Sequence, residues 1–341
     1  MAEKDKDVVL SVKDLHVYFY TNQRCNKVLR GISFDIRRGR TLCVVGESGC
    51  GKSVTANSIL RLLPDLSRIE SGSITYYKED GTEIRLDQLE KNGKQMRKLR
   101  GEDIAIIFQD PMTALNPVFT VGYQIEEMLR EHKKDMTNAE YKMAAIEDLA
   151  DMGIPSPEIR YGEYPHQFSG GMRQRSMIAM GMSCNPKILL ADEPTTALDV
   201  TISAQIFDLM NNLKKEHNTA IMMITHNMGV VAEMADEVAV MYMGNIVEYG
   251  PVEQIFTNPA HPYTKALLQS IPVLGKGKNQ QLEPIRGSTP DPFNRPKGCQ
   301  FCPRCDYACQ RCEEEMPPEE WVSESHYTRC FNYKEVMTSG K

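Results

Sequence analysis

Apolar and polar residues alternate through the first forty positions, in Val8-Val9-Leu10-Ser11-Val12 and in Leu15-His16-Val17-Tyr18-Phe19-Tyr20. That period of two predicts antiparallel strands with one covered face. The alternation then gives way to short, almost wholly apolar runs: Thr41-Leu42-Cys43-Val44-Val45, Ile104-Ala105-Ile106-Ile107-Phe108, Ile188-Leu189-Leu190-Ala191 and Ile221-Met222-Met223-Ile224. Such runs mark strands buried in an α/β core. Val54 to Leu60 reads as a helix, and so does about Ile202 to Glu216, which joins two of the runs in a βαβ unit. From Gln109-Asp110-Pro111-Met112 to about Met182 the helical period dominates, which predicts a helical insertion. The core is expected to end near Pro251. Beyond it, Pro-, Gly- and charge-rich sequence including Gly275-Lys276-Gly277-Lys278-Asn279 reads as a linker before a cysteine tail. No internal repeat is visible.

Composition narrows the class. The 341 residues, 41% hydrophobic, suffice for two domains and a sizeable core. No run of about 20 apolar residues could span a bilayer, and Met-Ala-Glu-Lys-Asp-Lys-Asp lacks the apolar heart of a signal peptide. Any role at a membrane is therefore expected to need a partner. A net charge of −6 argues against nucleic acid as the main ligand, and the basic stretch Lys91 to Arg100 reads as a solvated helix face.

Chemistry enters at Gly46-Glu47-Ser48-Gly49-Cys50-Gly51-Lys52-Ser53. The G-x-x-x-x-G-K-S spacing builds a loop whose backbone N–H groups surround a nucleotide's phosphates, and the strand before it and helix after it are the context the motif requires. The glycines allow the turn, the helix aims its positive end at the phosphates, Lys52 reaches β and γ, and the Ser53 hydroxyl suits Mg²⁺. Asp192 and Glu193 end an apolar strand, where open α/β sheets collect catalytic groups. Asp192 is expected to hold Mg²⁺ and Glu193 to polarise the attacking water, the two pointing apart as neighbours on an extended strand end. His226, at another strand end, is a candidate contact for the γ phosphate.

Phe168-Ser169-Gly170-Gly171-Met172-Arg173-Gln174-Arg175 resembles the signature sequence of ABC transporter nucleotide-binding subunits. The resemblance implies an α/β P-loop NTPase of the ABC type, with an antiparallel β subdomain, an α-helical insertion and a Cys-rich C-terminal extension. It divides the chain into an ATPase domain, 1–255, carrying the insertion at about 110–182, and an extension, 256–341. By the same resemblance Gln109 is the Q-loop glutamine and a third Mg²⁺ contact, Ala197-Leu198-Asp199 the D-loop, His226 the switch histidine and Phe19 the aromatic that stacks on adenine, with Tyr20 as fallback. Ser169, Gly170, Gly171 and Asp199 then complete the ATP site of an opposite subunit, so catalysis implies a dimer. Phe108 to Pro117, Tyr164-Pro165-His166-Gln167-Phe168 and His261-Pro262-Tyr263-Thr264-Lys265-Ala266-Leu267-Leu268 are similar to the oligopeptide and dipeptide importers, a subgroup that also serves nickel and glutathione. Implied partners are a second ATPase subunit of a different chain, two transmembrane permease subunits and an extracytoplasmic binding protein, with this chain on the cytoplasmic face of the membrane. A soluble ABC ATPase acting on nucleic acid or ribosomes is the rival, though the interval from Gln109 to Ser169 leaves no room for a long coiled coil. A redox module regulated by ATP is disfavoured by Glu193 and His226.

Six of ten cysteines crowd the tail, and without a secretory signal they favour metal over disulfides. Cys299-x-x-Cys302-x-x-Cys305-x-x-x-Cys309 has ferredoxin-like spacing, but Gln310 stands where proline usually follows and six cysteines cannot serve two clusters. The family resemblance implies instead one [4Fe–4S] cluster on Cys299, Cys305, Cys312 and Cys330, with Cys302 and Cys309 as alternates. Zinc on four thiolates is the rival metal. Either would staple a short tail expected to lack a core.

Overall fold

A computed structural model describes residues 7–21, 24–196, 198–270 and 285–338. The expected linker at 275–279 and Ala197 of the D-loop lie outside the described residues. The chain forms two compact units, each built from several separate stretches.

The first unit contains residues 36–40 and 77–224. Its strands Ile104–Ile107, Ile188–Asp192 and Ala220–Thr225 pair in parallel, with Ile188–Asp192 in the middle. These strands carry almost nothing but Ile, Leu, Met and Ala, because helices cover both faces of a parallel sheet. The crossover helix Val200–His217 turns Ile206, Phe207, Met210 and Leu213 inward, spaced three and four apart along one face as in an amphipathic helix. Asn218 ends it in the left-handed conformation that asparagine tolerates. The helical insertion is present as Val121–His132, Asn138–Asp151 and Gly170–Met182, with short turns of helix between. A capping box closes the start of the second: the Thr137 hydroxyl accepts from Glu140 N–H while the Glu140 carboxylate accepts from Thr137 N–H.

The second unit contains residues 10–35, 41–76 and 225–341. Strands Val8–Tyr20 and Ser67–Tyr77 pair antiparallel, and Cys25–Arg37 lies on the other side of the first. This is the antiparallel layer that the alternating pattern predicts. A second sheet runs from Thr41–Val45, parallel to Glu237–Tyr242, through antiparallel Asn245–Pro251 and His326–Thr328 to Glu320–Ser323 at the edge. Met243 and Gly244 both have positive φ, 45° and 83°, the two-residue turn that matches the twist of the hairpin they close.

One expectation is corrected here. The cysteine tail does not lack a core. The tail's two strands extend the sheet past Asn245–Pro251, and Phe301, Tyr327 and Val336 are buried. Phe301 packs edge-on against Tyr242 and tilted against Tyr263 and His261. Burial of aromatic surface, rather than a metal staple alone, therefore orders the tail. Beneath it, fully buried Glu248 accepts from the N–H of Ala260 at 2.6 Å and of His261 at 3.0 Å and pairs with His326 Nε2 at 2.8 Å. One carboxylate thus ties the start of helix Pro262–Gln269 and the tail strand to the sheet.

Candidate functional site

The phosphate loop follows strand Thr41–Val45 directly and leads into helix Lys52–Ile59 through Gly51, whose φ of 108° is denied to other residues without strain. Gly46 is fixed by space instead: a Cβ there would stand 2.2 Å from the Met241 carbonyl oxygen. Gly46, Cys50 and Lys52 are buried, Ser48 and Gly49 are exposed, and Ser53 is half-buried on the first helical turn. The Lys52 ammonium donates to the carbonyl oxygens of Gly46 at 2.8 Å and Glu47 at 3.1 Å, which holds it curled over the loop. Burial raises the Cys50 thiol pKa, so this cysteine packs the loop as a neutral apolar group.

Around the loop stand residues that sequence reasoning passed over. Glu47 N–H donates to the Tyr263 hydroxyl at 2.8 Å. The Glu47 carboxylate receives a bidentate pair from Arg304, Nη1 to Oε2 at 2.7 Å and Nη2 to Oε1 at 3.0 Å, and a bond from Thr289 Oγ1 at 3.2 Å. Arg304 is itself 8% exposed, held over the rings of Tyr242 and Phe301, and donates through Nε to the Arg286 carbonyl. The signal available in the sequence was the acidic residue itself. A carboxylate inside a loop made for anions asks for a cation from elsewhere in the chain.

In the first unit, Asp192 closes its strand as a buried carboxylate, 8% exposed. Glu193 departs from the expectation of an extended strand end. It leaves the strand with a φ of 47°, donates its N–H to Ile224 O at 2.9 Å, and so swings its side chain out of the strand's register. A non-glycine residue there carries about 1–3 kcal/mol of backbone strain, of the kind found at active sites. Its Oε2 accepts from Gln109 Nε2 at 3.1 Å and from Thr196 Oγ1 at 3.0 Å. These two donors aim the carboxylate. Gln109 follows strand Ile104–Ile107, and its amide oxygen remains the atom suited to a cation.

Ser169 caps the 13-residue helix Gly170–Met182 by accepting from Met172 N–H, and Ser169 and Gly170 are exposed at its positive end. Buried Phe168 anchors the approach, and Arg173 Nε bonds the Pro165 carbonyl at 2.6 Å. Asp199 caps helix Val200–His217 through a 2.9 Å bond from Ile202 N–H. Both motifs stand at exposed helix starts.

The remaining candidates belong to the second unit. His226 is exposed where strand Ala220–Thr225 ends, just before the cap residue Asn227 of helix Met228–Met234. Phe19 lies opposite Ser67, half-buried on the same face as Leu15 and Val17. Tyr20 faces the other way, its hydroxyl bonded to Glu70 at 2.6 Å and its ring under Arg68.

In the tail, Cys299 N–H bonds Cys312 O at 2.7 Å, and Cys309 Sγ lies 3.4 Å from Cys312 Sγ. Burial pushes the thiols of Cys305 and Cys330 up to about 12 and of Cys312 to about 11, and raises Cys299 as well. Charge on Cys299 and Cys312 raises Cys305 and Cys330 further, and charge on Cys302 and Cys309 raises Cys299. Among the described residues, however, no three His, Cys, Asp or Glu side chains converge as a ready ligand set for a single metal ion. No described helix is long and apolar enough to cross a membrane.

Comparison with known proteins places these motifs in context. Residues 29–196 match the family model described as ABC transporter, and residues 247–312 match that of the oligopeptide/dipeptide transporter C-terminal region. The dipeptide transport ATP-binding protein DppD of Bacillus subtilis is 48% identical over 324 residues, covering 95% of this chain and 94% of that protein. A putative peptide import ATP-binding protein of Brucella ovis is 46% identical, covering 96% and 98%. Among solved structures, the dimeric bacterial ABC transporter cassette MJ0796 superposes with a TM-score of 0.62 at 25% identity, over 71% of this chain and 98% of that one.

Proposed function

The chain belongs to the ABC transporter family, alongside the ATP-binding proteins of peptide importers, and from that premise we propose that it hydrolyses ATP to drive di- and oligopeptides through a membrane permease. The observation that carries the catalytic reading is Glu193, strained in backbone and aimed by Gln109 and Thr196 beside a buried aspartate. We assign Asp192, the Ser53 hydroxyl and the Gln109 amide oxygen to Mg²⁺, because hard oxygen donors of this kind suit that ion. When bound, Mg²⁺ neutralises charge on the β and γ phosphates. Gly46, Ser48, Gly49, Cys50, Gly51 and Lys52 cradle those phosphates, Phe19 stacks on adenine, Glu193 takes the proton of the attacking water, and His226 contacts the γ phosphate. Ser169, Gly170, Gly171 and Asp199 serve the nucleotide of a second ATPase subunit.

The match of residues 247–312 to the peptide-transporter C-terminal region favours peptide over nickel or glutathione as cargo. The proposed division is an ATPase domain, 1–255, and an extension, 256–341. The working assembly is this chain, a second ATPase of a different sequence, two permease subunits and an extracytoplasmic binding protein, with this chain at the cytoplasmic membrane face. In the co-purified complex in lipid, binding protein loaded with peptide should stimulate ATPase activity severalfold over binding protein loaded with nickel or glutathione. Stimulation by the metal or by glutathione instead reassigns the cargo, and a response to RNA or ribosomes with no permease bound discards the transporter.

We assign the tail cysteines Cys299, Cys305, Cys312 and Cys330 to a [4Fe–4S] cluster, with Cys302 and Cys309 as alternates. That assignment rests on the resemblance of the tail to those of peptide-importer ATPases, with zinc on four thiolates as the rival. Anaerobically purified protein should contain about four irons and matching acid-labile sulfide per chain. Cys330→Ser should lose them. Stoichiometric zinc without sulfide would replace this assignment with the rival metal.

A further inference from the structure

Glu47 is an awkward residue for a loop that receives a triphosphate, since its charge has the sign of the ligand. The fold answers with Arg304, from the other end of the chain. Cys302, Pro303 and Arg304 form one turn of 3₁₀ helix between tail cysteines, stitched by Cys302 N–H to Cys299 O at 3.1 Å and Cys305 N–H to Cys302 O at 3.2 Å. The turn points Arg304 into a slot between Tyr242 and Phe301, where both guanidinium nitrogens of its fork meet the two oxygens of Glu47. Planar, bidentate pairing fixes orientation as well as distance, which a lysine could not do. With the side chain of Arg304 4% exposed and that of Glu47 30%, solvent screens the pair only partly.

From Glu47 the connection continues to the reacting end of the loop. The carbonyl oxygen of the same residue accepts from the Lys52 ammonium, and its N–H is pinned by Tyr263. Arg304 holds the carboxylate, Tyr263 the amide and Lys52 the carbonyl, so the residue is fixed at three points. We propose that Arg304 is a positioning residue for the phosphate loop: it cancels the Glu47 charge and holds the loop in its phosphate-ready form, so that the tail sets the affinity for ATP without touching it. The proposal rests on the ATPase reading above. It makes the cysteine-rich turn part of the nucleotide machinery, because whatever orders Cys299 to Cys305 also orders Arg304.

ATP affinity of the full-length chain, measured by titration calorimetry with Mg²⁺, tests this together with kcat and KM in the assembled transporter. Arg304→Met should weaken ATP binding about tenfold, within the ordinary range for linked sites, and raise KM with little change in kcat. Arg304→Lys, which restores charge but not the fork, should fall between. The decisive variant is Arg304→Met combined with Glu47→Gln. Removing the stranded carboxylate should return affinity to within about threefold of the parent, a rescue that charge cancellation demands and loss of packing does not provide.

Hydrogen exchange guards against a misfolded variant. Arg304→Lys should speed exchange at the amides of 47–51 and leave 326–328 protected. Unchanged affinity in Arg304→Met, a double variant as weak as the single, or equal loss of protection in both segments would overturn the relay. A parent chain that binds no ATP would overturn the nucleotide reading and the relay with it.

Discussion

Glu193→Gln should abolish steady-state ATP turnover, by about 10²–10⁴-fold, while ATP still binds with near-parental affinity. The amide that replaces the carboxylate keeps one oxygen, so bonds from Gln109 and Thr196 survive and the local geometry is preserved. What is lost is the capacity to accept a proton. Because φ at this residue is already 47°, the side chain cannot be replaced functionally by its neighbour Asp192, which stays in the strand as a buried carboxylate. Closed ATP-bound dimers that persist on gel filtration, with no phosphate released in a single turnover, are the expected result. Near-normal phosphate release would move the base elsewhere.

The second large effect concerns stability. Glu248→Ala should destabilise the second unit by about 3–5 kcal/mol, because it leaves His326 and two backbone N–H groups buried without their acceptor. A fall of roughly 10 °C in the unfolding midpoint of that transition is expected. The loss should be accompanied by early proteolysis at residues 320–328, since the same carboxylate anchors that hairpin. A shift under about 1 kcal/mol would show that these bonds are dispensable.

How far the sequence discloses all this depends on the distance over which each feature is built. The phosphate loop, strand Thr41–Val45 and the carboxylate pair are legible because their chemistry needs neighbouring residues in order, and strand Ile188–Asp192 ends one residue beyond its apolar run. The left-handed turn at Glu193 is not legible, for nothing in Asp-Glu-Pro announces a positive φ. The bond between Glu47 and Arg304 joins residues 257 positions apart, and no periodicity records it. The tail misleads in a different way. Its cysteine spacing suggests a patch held by metal alone, whereas its core is assembled from Phe301 together with Tyr242 and Tyr263, aromatic rings that look ordinary in their own segments. Tyr20 likewise is held by Glu70, some fifty residues away.

The late hairpin has a consequence for synthesis. Until residues 320–328 have left the ribosome, strand Asn245–Pro251 is an open edge carrying an unneutralised Glu248, a template for pairing with another nascent chain. The phosphate loop is translated near the start yet waits for Arg304 near the finish. A message truncated between them yields chains with a complete nucleotide motif, a bare strand edge and no clamp, which makes them substrates for chaperones and proteases before they can occupy a place in a transporter.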